Sequence, residues 1–172
     1  PARMGSSRFP GKPLKKIKGM PMIEHVYKRT NLSKSINKLV VATPDKEIFD
    51  FVEEFGGNAI MTSPFHERAS DRCAEALLLE EKKSSIIYDI VVMVQGDEPL
   101  VHPQMIDDSI SEICKNKDIN VVNLLGKLTE KEFKDPNIIK VLINRNYDAL
   151  YFSRVPIPYM KTLDLSLVGK QI

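Results

Sequence analysis

Apolar residues recur at helical spacing in several stretches of the chain. In the clearest stretch, apolar side chains fall at positions i, i+3, i+4 and i+7, namely at Ile48, Phe51, Val52 and Phe55. Gly56-Gly57 follows directly and is a typical end of a helix. Comparable spacing predicts further helices over about residues 21–31 and 71–82, and in a segment that contains Ile106, Ile110 and Ile113.

Short apolar and β-branched runs lie between these helices and predict strands: Lys38–Ala42, Asn58–Thr62, Ile90–Val94 and Ile119–Leu125. Ile90–Val94 is unbroken, as expected for a central strand that is covered on both faces. Thr43-Pro44 is typical of a helix cap followed by proline in the first turn. Strands that alternate with helices predict an α/β fold with a mostly parallel sheet and helices on both sides.

The pattern changes after Glu130, where the residues favour turns and short paired strands. Asp135-Pro136-Asn137 predicts a turn. Two apolar runs, Ile138–Ile143 and Ala149–Phe152, then flank the polar stretch 144–148. This arrangement predicts a β-hairpin that is inserted after the alternating part of the fold.

Composition and charge limit the partners that the chain can bind. The 25 basic and 23 acidic residues are interspersed and leave a formal net charge of +2, which provides no extended field for nucleic acid or a membrane surface. No apolar run approaches the roughly 20 residues needed to cross a bilayer. We therefore expect no nucleic-acid or membrane partner and a cytoplasmic location. With 42% hydrophobic residues, residues 1–172 are expected to form one domain.

The first candidate for chemistry is the turn-rich segment Ala2–Lys12, which places three cations in one loop: Arg3, Arg8 and Lys12. Gly5 allows the backbone to approach a ligand closely, so that exposed N–H groups can donate to phosphate oxygens. The cations would neutralise a polyphosphate. A solvated basic loop is the alternative, because the segment lacks the spacing of a P-loop. Such a loop usually follows an apolar strand, and we expect that strand before Pro1, outside this chain.

The second candidate is the segment Gln95-Gly96-Asp97-Glu98-Pro99, which follows the predicted central strand. Ligands of open α/β sheets bind at the carboxyl ends of the strands. A carboxylate at that place suits Mg²⁺, which prefers one or two carboxylates together with phosphate oxygens and water. The alternative is an ordinary turn between a strand and a helix, in which Asp and Gly are common.

Two further polar segments are weaker candidates. His66–Arg72 leads into a predicted helix, where free N–H donors and small residues could receive a nucleotide base. A plain helix cap at Ser70 or Asp71 is the alternative there. Arg154 ends the second strand of the predicted hairpin, and its planar fork suits a carboxylate. A surface salt bridge is the alternative for Arg154.

Taken together, these segments resemble the 3-deoxy-manno-octulosonate (KDO) cytidylyltransferases. The resemblance rests on four segments that align in order: Pro1–Leu14, Val94–Pro99, Asp135–Asn137 and Ala149–Arg154. The opening loop is shared with other sugar cytidylyltransferases, whereas its combination with the other segments is more specific. Arg68-Ala69-Ser70 stands where the family commonly has Ser/Thr-Gly-Thr.

The resemblance implies a three-layer nucleotide-diphosphosugar transferase fold, which is Rossmann-like, with a mostly parallel central sheet and a hairpin insertion. It also implies an enzyme that binds CTP and Mg²⁺, couples the anomeric hydroxyl of an acidic sugar to the α-phosphate, and releases pyrophosphate. Members of the family are generally homodimers. A second magnesium carboxylate is expected in a C-terminal segment outside this chain.

Carried over by position, the resemblance also implies roles for individual residues. The nucleotide-binding residues are Ala2, Arg3, Gly5, Ser6, Lys12, Ser70 and Arg72, of which Ser70 and Arg72 belong to the cytosine pocket. The catalytic residues are Arg3, Lys12 and Asp97, with Asp97 as the magnesium ligand. Gln95 and Arg154 face the sugar.

Other functions remain open at this stage. The chain could activate a different acidic sugar, such as an amino-KDO, a sialic acid or a legionaminic-type sugar. It could also be a catalytically silent subunit that binds nucleotide. The joint presence of a phosphate-type loop and the magnesium-type Asp97 favours an enzyme.

Overall fold

The computed structural model describes residues 1–5 and 9–172, and these residues form two compact units. The first unit spans Pro1–Cys114 and the second spans Lys115–Ile172. The expectation that residues 1–172 form one cytidylyltransferase domain stays a prediction.

In the first unit, the described residues form short strands and longer helices that largely alternate. In chain order they are β1 (Lys16–Ile17), β2 (Met20–Pro21), α1 (Met22–Thr30), β3 (Val41–Thr43), α2 (Lys46–Glu54), β4 (Ala59–Met61), α3 (Ala69–Ser84) and α4 (Pro103–Lys115). β3 and β4 pair in parallel, with Val41 opposite Ala59, whereas β1 and β2 form an antiparallel hairpin. The predicted helices and the predicted strand Asn58–Thr62 are therefore confirmed, whereas the strand predicted at Lys38–Ala42 begins only at Val41.

The core of the first unit forms where α2 covers the parallel pair. Ile48 and Val52 of α2 are completely buried and pack with Val41, Ile23 and Ala2. The helical spacing of the apolar residues thus places them on one buried face, as the sequence predicts. Because Ala2 belongs to this core, the beginning of the turn-rich loop is fixed by packing.

The prediction of a central strand at Ile90–Val94 is wrong for the structure described here, which assigns no strand to that segment. Val91 is 50% exposed and Met93 is 44% exposed, so the segment is not covered on both faces. An apolar groove of about 450 Å³ adjoins the segment and is also lined by Val40, which precedes β3, and by Ala42, which lies in β3. A strand requires a hydrogen-bonded neighbour, and an apolar run by itself does not supply one.

The predicted helix cap at Thr43-Pro44 is also wrong. α2 begins at Lys46, and its N-cap residue is Asp45. Thr43 is the last residue of β3, and its Oγ1 accepts a hydrogen bond from the Asp45 N–H at 3.1 Å. The Thr hydroxyl therefore stabilises the turn between strand and helix and does not cap the helix.

The second unit is built around a four-stranded antiparallel sheet with one short helix. Its elements are β5 (Leu125–Lys127), α5 (Glu130–Lys134), β6 (Lys140–Ile143), β7 (Ala149–Ser153) and β8 (Val168–Gln171). The strand order is β5-β8-β6-β7, which places β7 at an edge. The β6–β7 pair confirms the predicted hairpin, and Asp135–Asn137 forms the predicted turn, in which the Asn137 N–H donates to Asp135 Oδ1 at 2.8 Å.

Two features of the second unit differ from the sequence-based expectations. The predicted strand Ile119–Leu125 is wrong, because the strand begins at Leu125, where pairing with β8 begins. β8 itself was not predicted. The core contains Leu128, Phe133 and Val168. Among the described residues of the whole chain, no helix is long and apolar enough to span a membrane.

Candidate active site

The loop that follows Ala2 is held at both ends by hydrogen bonds in the first unit. The Ala2 N–H donates to Ala42 O at 2.9 Å, and the Met4 N–H donates to Asp45 Oδ2 at 2.7 Å. The Gly11 N–H donates to Met4 O at 3.0 Å and thereby closes the loop. Gly11 has a φ of 69°, which glycine adopts without strain. Met4 and Gly11 therefore fix the two ends of a closed loop.

Lys12 follows this closure and contacts the segment that was predicted to hold a metal. Its Nζ lies 2.8 Å from Asp97 Oδ2, and the two side chains are 32% and 50% exposed. The cation predicted for phosphate and the carboxylate predicted for magnesium are thus neighbours. Because both side chains reach solvent, an incoming phosphate and metal ion can exchange with this ion pair.

Gly96 allows the Gln95–Asp97 turn to approach the loop closely. Its N–H donates to Pro1 O at 3.2 Å. A Cβ at this position would lie 2.7 Å from Pro1 O and 3.1 Å from the Ala2 Cβ, so any larger residue would push the two segments apart. The absence of a side chain at Gly96 therefore helps to bring Asp97 to Lys12.

A cleft of about 920 Å³ opens between these segments and the loop before α3. It collects most of the predicted site residues that belong to the first unit: Ala2, Arg3, Gly5, Lys12, Arg72, Gln95 and Asp97. Arg68, Glu67 and His66 also line it. Its volume lies within the range that is typical of small-molecule sites. Four arginine and lysine side chains against two carboxylates make the lining suitable for a polyanion.

Arg72 is buried in the wall of the cleft, and its guanidinium holds the loop before α3. Nη1 donates to Thr62 Oγ1 at 2.6 Å and to Ser63 O at 3.1 Å, and Nη2 donates to His66 O at 3.4 Å. Burial lowers the pKa of Arg72 from its ordinary value, and the positive charge of Arg3 lowers it further. Arg72 thus lines the cleft and also shapes its wall.

Glu75, one turn further along α3, holds the same loop and was not predicted from the sequence. Its Oε2 accepts hydrogen bonds from the Ser63 N–H at 2.7 Å and from His66 Nε2 at 2.6 Å. The bond from Ser63, followed by that from His66, lowers the pKa of Glu75. The i, i+3 spacing of Arg72 and Glu75 was visible in the sequence, but their partners in the loop were not.

The remaining predicted nucleotide residues are placed differently. Ser70 lies in the first turn of α3, is exposed and donates to Asp71 Oδ1 at 3.5 Å. It is not among the described residues that line the cleft. Ser6, together with Ser7 and Arg8, lies outside the residues that the structure describes.

Arg154, predicted to bind the sugar, belongs to the second unit and follows β7 directly. Its side chain is exposed, and Nη1 donates to Pro136 O at 3.3 Å and to Asn137 O at 3.1 Å. The alternative interpretation of Arg154 as part of a surface salt bridge is not observed among the described residues, since both acceptors are backbone carbonyls. The side chain is therefore tied to the Asp135–Asn137 turn.

The donor set in the cleft fits magnesium bound together with phosphates. Within the described residues, no group of three His, Cys, Asp or Glu side chains could enclose a metal ion. Asp97 instead offers an exposed carboxylate beside several cations. Mg²⁺ is commonly bound by one or two carboxylates, with phosphate oxygens and water completing its octahedron. Asp97 can supply such a single carboxylate.

The chain is similar to known proteins over most of its length. The sequence pattern of the cytidylyltransferase family matches residues 1–171. A 3-deoxy-manno-octulosonate cytidylyltransferase of Thermodesulfovibrio yellowstonii is 50% identical over 163 residues, which cover 92% of this chain and 63% of that protein. The corresponding protein of Geobacter metallireducens is 43% identical over 159 residues, which cover 92% of this chain and 60% of that protein. The chain thus spans 60–63% of the length of these two relatives.

A solved structure is similar to this chain in fold as well as in sequence. CMP:2-keto-3-deoxy-manno-octonic acid synthetase complexed with CTP superposes with a TM-score of 0.88 at 38% sequence identity. The match covers 99% of this chain and 68% of that chain. The predicted α/β class with a Rossmann-like nucleotidyltransferase fold is therefore confirmed.

Proposed function

Because the chain belongs to the cytidylyltransferase family, we propose that the protein transfers CMP from CTP to the anomeric hydroxyl of KDO and releases pyrophosphate. The relatives at 43–50% identity carry the name of this activity. The contact between Lys12 and Asp97 in a cation-lined cleft is the observation in this chain that supports it most directly. The product would supply KDO for lipopolysaccharide or capsule synthesis.

In this reaction the anomeric hydroxyl releases its proton to solvent and its oxygen forms a bond to the α-phosphorus, while the bond from that phosphorus to the bridging oxygen of pyrophosphate breaks. Arg3 and Lys12 line the cleft and neutralise the negative charge that grows on the departing pyrophosphate. The hydrogen bond from the Gly11 N–H to Met4 O brings together the backbone positions that adjoin these two cations. Such positioning and charge stabilisation provide most of the catalysis in phosphoryl transfer.

We propose Mg²⁺ as the cofactor, with Asp97 as its protein ligand. A bound magnesium ion neutralises phosphate charge and makes the phosphorus more electrophilic. Asp97 would exchange its contact with Lys12 for this ion, and Lys12 would then be free to bind phosphate oxygens. Because both side chains are partly exposed, separating Lys12 from Asp97 requires little free energy.

The substrate-binding roles follow the predicted residues. Arg72 and Ser70 are proposed for the cytosine end of CTP, and Ala2, Gly5 and Ser6 for backbone and hydroxyl contacts with the nucleotide. Gln95, exposed in the cleft, and Arg154 are proposed for the acidic sugar. Arg154 would bind the sugar carboxylate with the edge formed by Nε and Nη2, which no described residue uses.

Pyrophosphate release by the whole protein tests the proposal, with CTP, Mg²⁺ and a panel of acidic sugars. Release with KDO and much less with an amino-KDO, a sialic acid or a legionaminic-type sugar supports the assignment. Preference for another member of the panel would identify a relative with a different sugar. Release with none of them would support a catalytically silent nucleotide-binding subunit.

We further propose a cytoplasmic homodimer in which β7 contributes to the contact between copies. This edge strand exposes Leu150, Tyr151 and Phe152, at 58%, 62% and 41%. Exposed apolar edge strands are liable to associate, and proteins usually cover them. Sedimentation of the whole protein and of Tyr151→Glu tests this, with a dimer expected for the first and a weaker dimer for the second.

A further inference from the structure

Lys140 is a completely buried cation whose contacts are made to the backbone. Its relative exposure is 0%, although it is a lysine in a strand. Its Nζ donates to Asp135 O at 2.5 Å, to Ile138 O at 3.0 Å and to Arg154 O at 2.6 Å. The three donors of the ammonium are therefore directed at three carbonyl oxygens.

Arg154 uses the two carbonyls that lie between those bound by Lys140. Its Nη1 donates to Pro136 O and to Asn137 O. The four consecutive carbonyls of the segment 135–138 thus accept hydrogen bonds from two cations, the outer two from Lys140 and the inner two from Arg154. Lys140 also holds the backbone carbonyl of Arg154 itself. The turn and the arginine are consequently fixed to each other through one ammonium group.

Stability alone is a weak explanation for a charge at this position. Removing an ammonium from water is costly, and carbonyl dipoles compensate less than a carboxylate would. An apolar side chain of similar length in a buried position is often neutral or stabilising by comparison. The directed hydrogen bonds do, however, restrict the position and rotation of the Arg154 backbone and of the turn that binds its side chain.

We propose that Lys140 is a positioning residue that orients Arg154 for the carboxylate of the acidic sugar. The inference rests on the sugar-binding role proposed for Arg154. With Nη1 held by the turn, the Nε and Nη2 edge is presented in one orientation, as bidentate recognition of a carboxylate requires. Lys140 does not touch the substrate and acts through Arg154.

Steady-state kinetics of Lys140→Met in the whole protein provide the first readout. Methionine keeps much of the length of the side chain and removes the charge and the donors. We expect KM for KDO to rise by about tenfold or more, because even a small misplacement of a binding group weakens its contact with the substrate strongly. The KM for CTP should stay within about twofold. Lys134→Met is the matched control, since Lys134 is 69% exposed and pairs with Glu130 in the same unit.

A double-mutant cycle with Arg154→Ala then separates the sugar-binding role proposed for Arg154 from the positioning role proposed for Lys140. Arg154→Ala alone should raise KM for KDO by about 10- to 100-fold, the value of a charge-assisted hydrogen-bonded contact. The double variant should equal Arg154→Ala within about threefold, because Lys140 acts through the missing guanidinium. If Arg154→Ala leaves KDO kinetics unchanged, the sugar-binding role fails and the inference fails with it.

Other outcomes overturn the inference and leave the role of Arg154 intact. A strong effect of Arg154→Ala combined with a purely multiplicative double variant would show that Lys140 acts independently. Equal losses for KDO and CTP in Lys140→Met, with a lowered Tm, would show a structural role only. If Lys140→Met does not fold, Lys140→Ala is assayed with and without n-propylamine. Recovery of KM for KDO by the amine supports positioning, and a lack of recovery in a folded variant contradicts it.

Discussion

The ammonium of Lys12 lies 2.8 Å from a carboxylate oxygen of Asp97, although 85 residues separate the two in the chain. This contact joins the end of the phosphate-type loop to the turn that follows Ile90–Val94. Both side chains remain partly exposed in the cleft. The pair therefore marks the place where phosphates and a metal ion are expected to enter.

We predict that Asp97→Asn reduces the rate of CMP transfer by about 10²-fold or more, since the variant loses the proposed metal carboxylate. Stability should change by only about 0.2–1 kcal/mol, because the ion pair with Lys12 is exposed. Turnover with CTP, KDO and Mg²⁺ gives the first quantity, and urea unfolding gives the second. Asp89→Asn, at an exposed position of the same unit, is the control. Full turnover or an unfolded Asp97→Asn protein contradicts the assignment.

Arg3→Ala should weaken binding of CTP much more than binding of CMP. Arg3 is an exposed cation of the cleft, and its proposed partners are the outer phosphates, which CMP lacks. A lost charge-assisted contact corresponds to about 1.5–3 kcal/mol, or roughly a 10- to 100-fold increase in Kd for CTP. Calorimetric titration with both nucleotides measures the difference. Equal losses for CTP and CMP would place the effect of Arg3 elsewhere.

Arg154→Lys should raise KM for KDO or lower turnover, while KM for CTP changes little. Lysine keeps the charge but lacks the planar fork that binds a carboxylate through two parallel hydrogen bonds. A lost surface contact alone would be worth about 0.2–1 kcal/mol of stability and would not alter the kinetics with KDO. Kinetics on both substrates, combined with a thermal melt, distinguish these cases. Unchanged KDO kinetics remove Arg154 from the site.

Stability of the second unit should depend on pH through Glu132. Hydrogen bonds from Lys170, and next from the Thr129 N–H and hydroxyl, lower the pKa of Glu132 from 4.5 to about 2. A carboxyl with a lowered pKa in the folded state stabilises the fold above its unfolded pKa. That contribution is lost as the pH falls from 4.5 towards about 2.

Urea unfolding at a series of acidic pH values measures this dependence. Between pH 4.5 and about 2, the unfolding free energy of the wild type should fall more steeply than that of Glu132→Gln. Glu54→Gln, an exposed position in α2, should keep the wild-type slope. Identical slopes for the wild type and Glu132→Gln would show that the contact with Lys170 does not contribute.

The parts of the fold that depend on local patterns could be predicted from the sequence. α2 was predicted because its buried face and its glycine stop are both local features. α5 could have been predicted too, since Thr129 and Glu132 form a capping box with a recognisable four-residue signature. Ile90–Val94 and β8 were misjudged because strand formation depends on a neighbour that is distant in the chain.

In the candidate site, too, features that depend on local sequence could be predicted, and features that depend on distant segments could not. Lys12 and Asp97 were selected from the sequence because phosphate and magnesium chemistry favours their residue types in turn-rich segments. The structure brings the two side chains together, and their roles stay predictions. The roles of Asp45 and Glu75 could not be predicted, because each carboxylate accepts a hydrogen bond from a backbone N–H of a separate segment. Lys140 was missed because a lysine in a strand normally faces solvent.

The most direct test of the account is a ³¹P NMR time course of the whole protein with CTP, KDO and Mg²⁺. We predict that the three CTP signals disappear together and are replaced by pyrophosphate and a single phosphodiester signal of CMP-KDO. This outcome requires cleavage between the α- and β-phosphates and attachment of CMP to the sugar. Persistent CTP signals, or formation of orthophosphate and CDP, would contradict the proposed transfer.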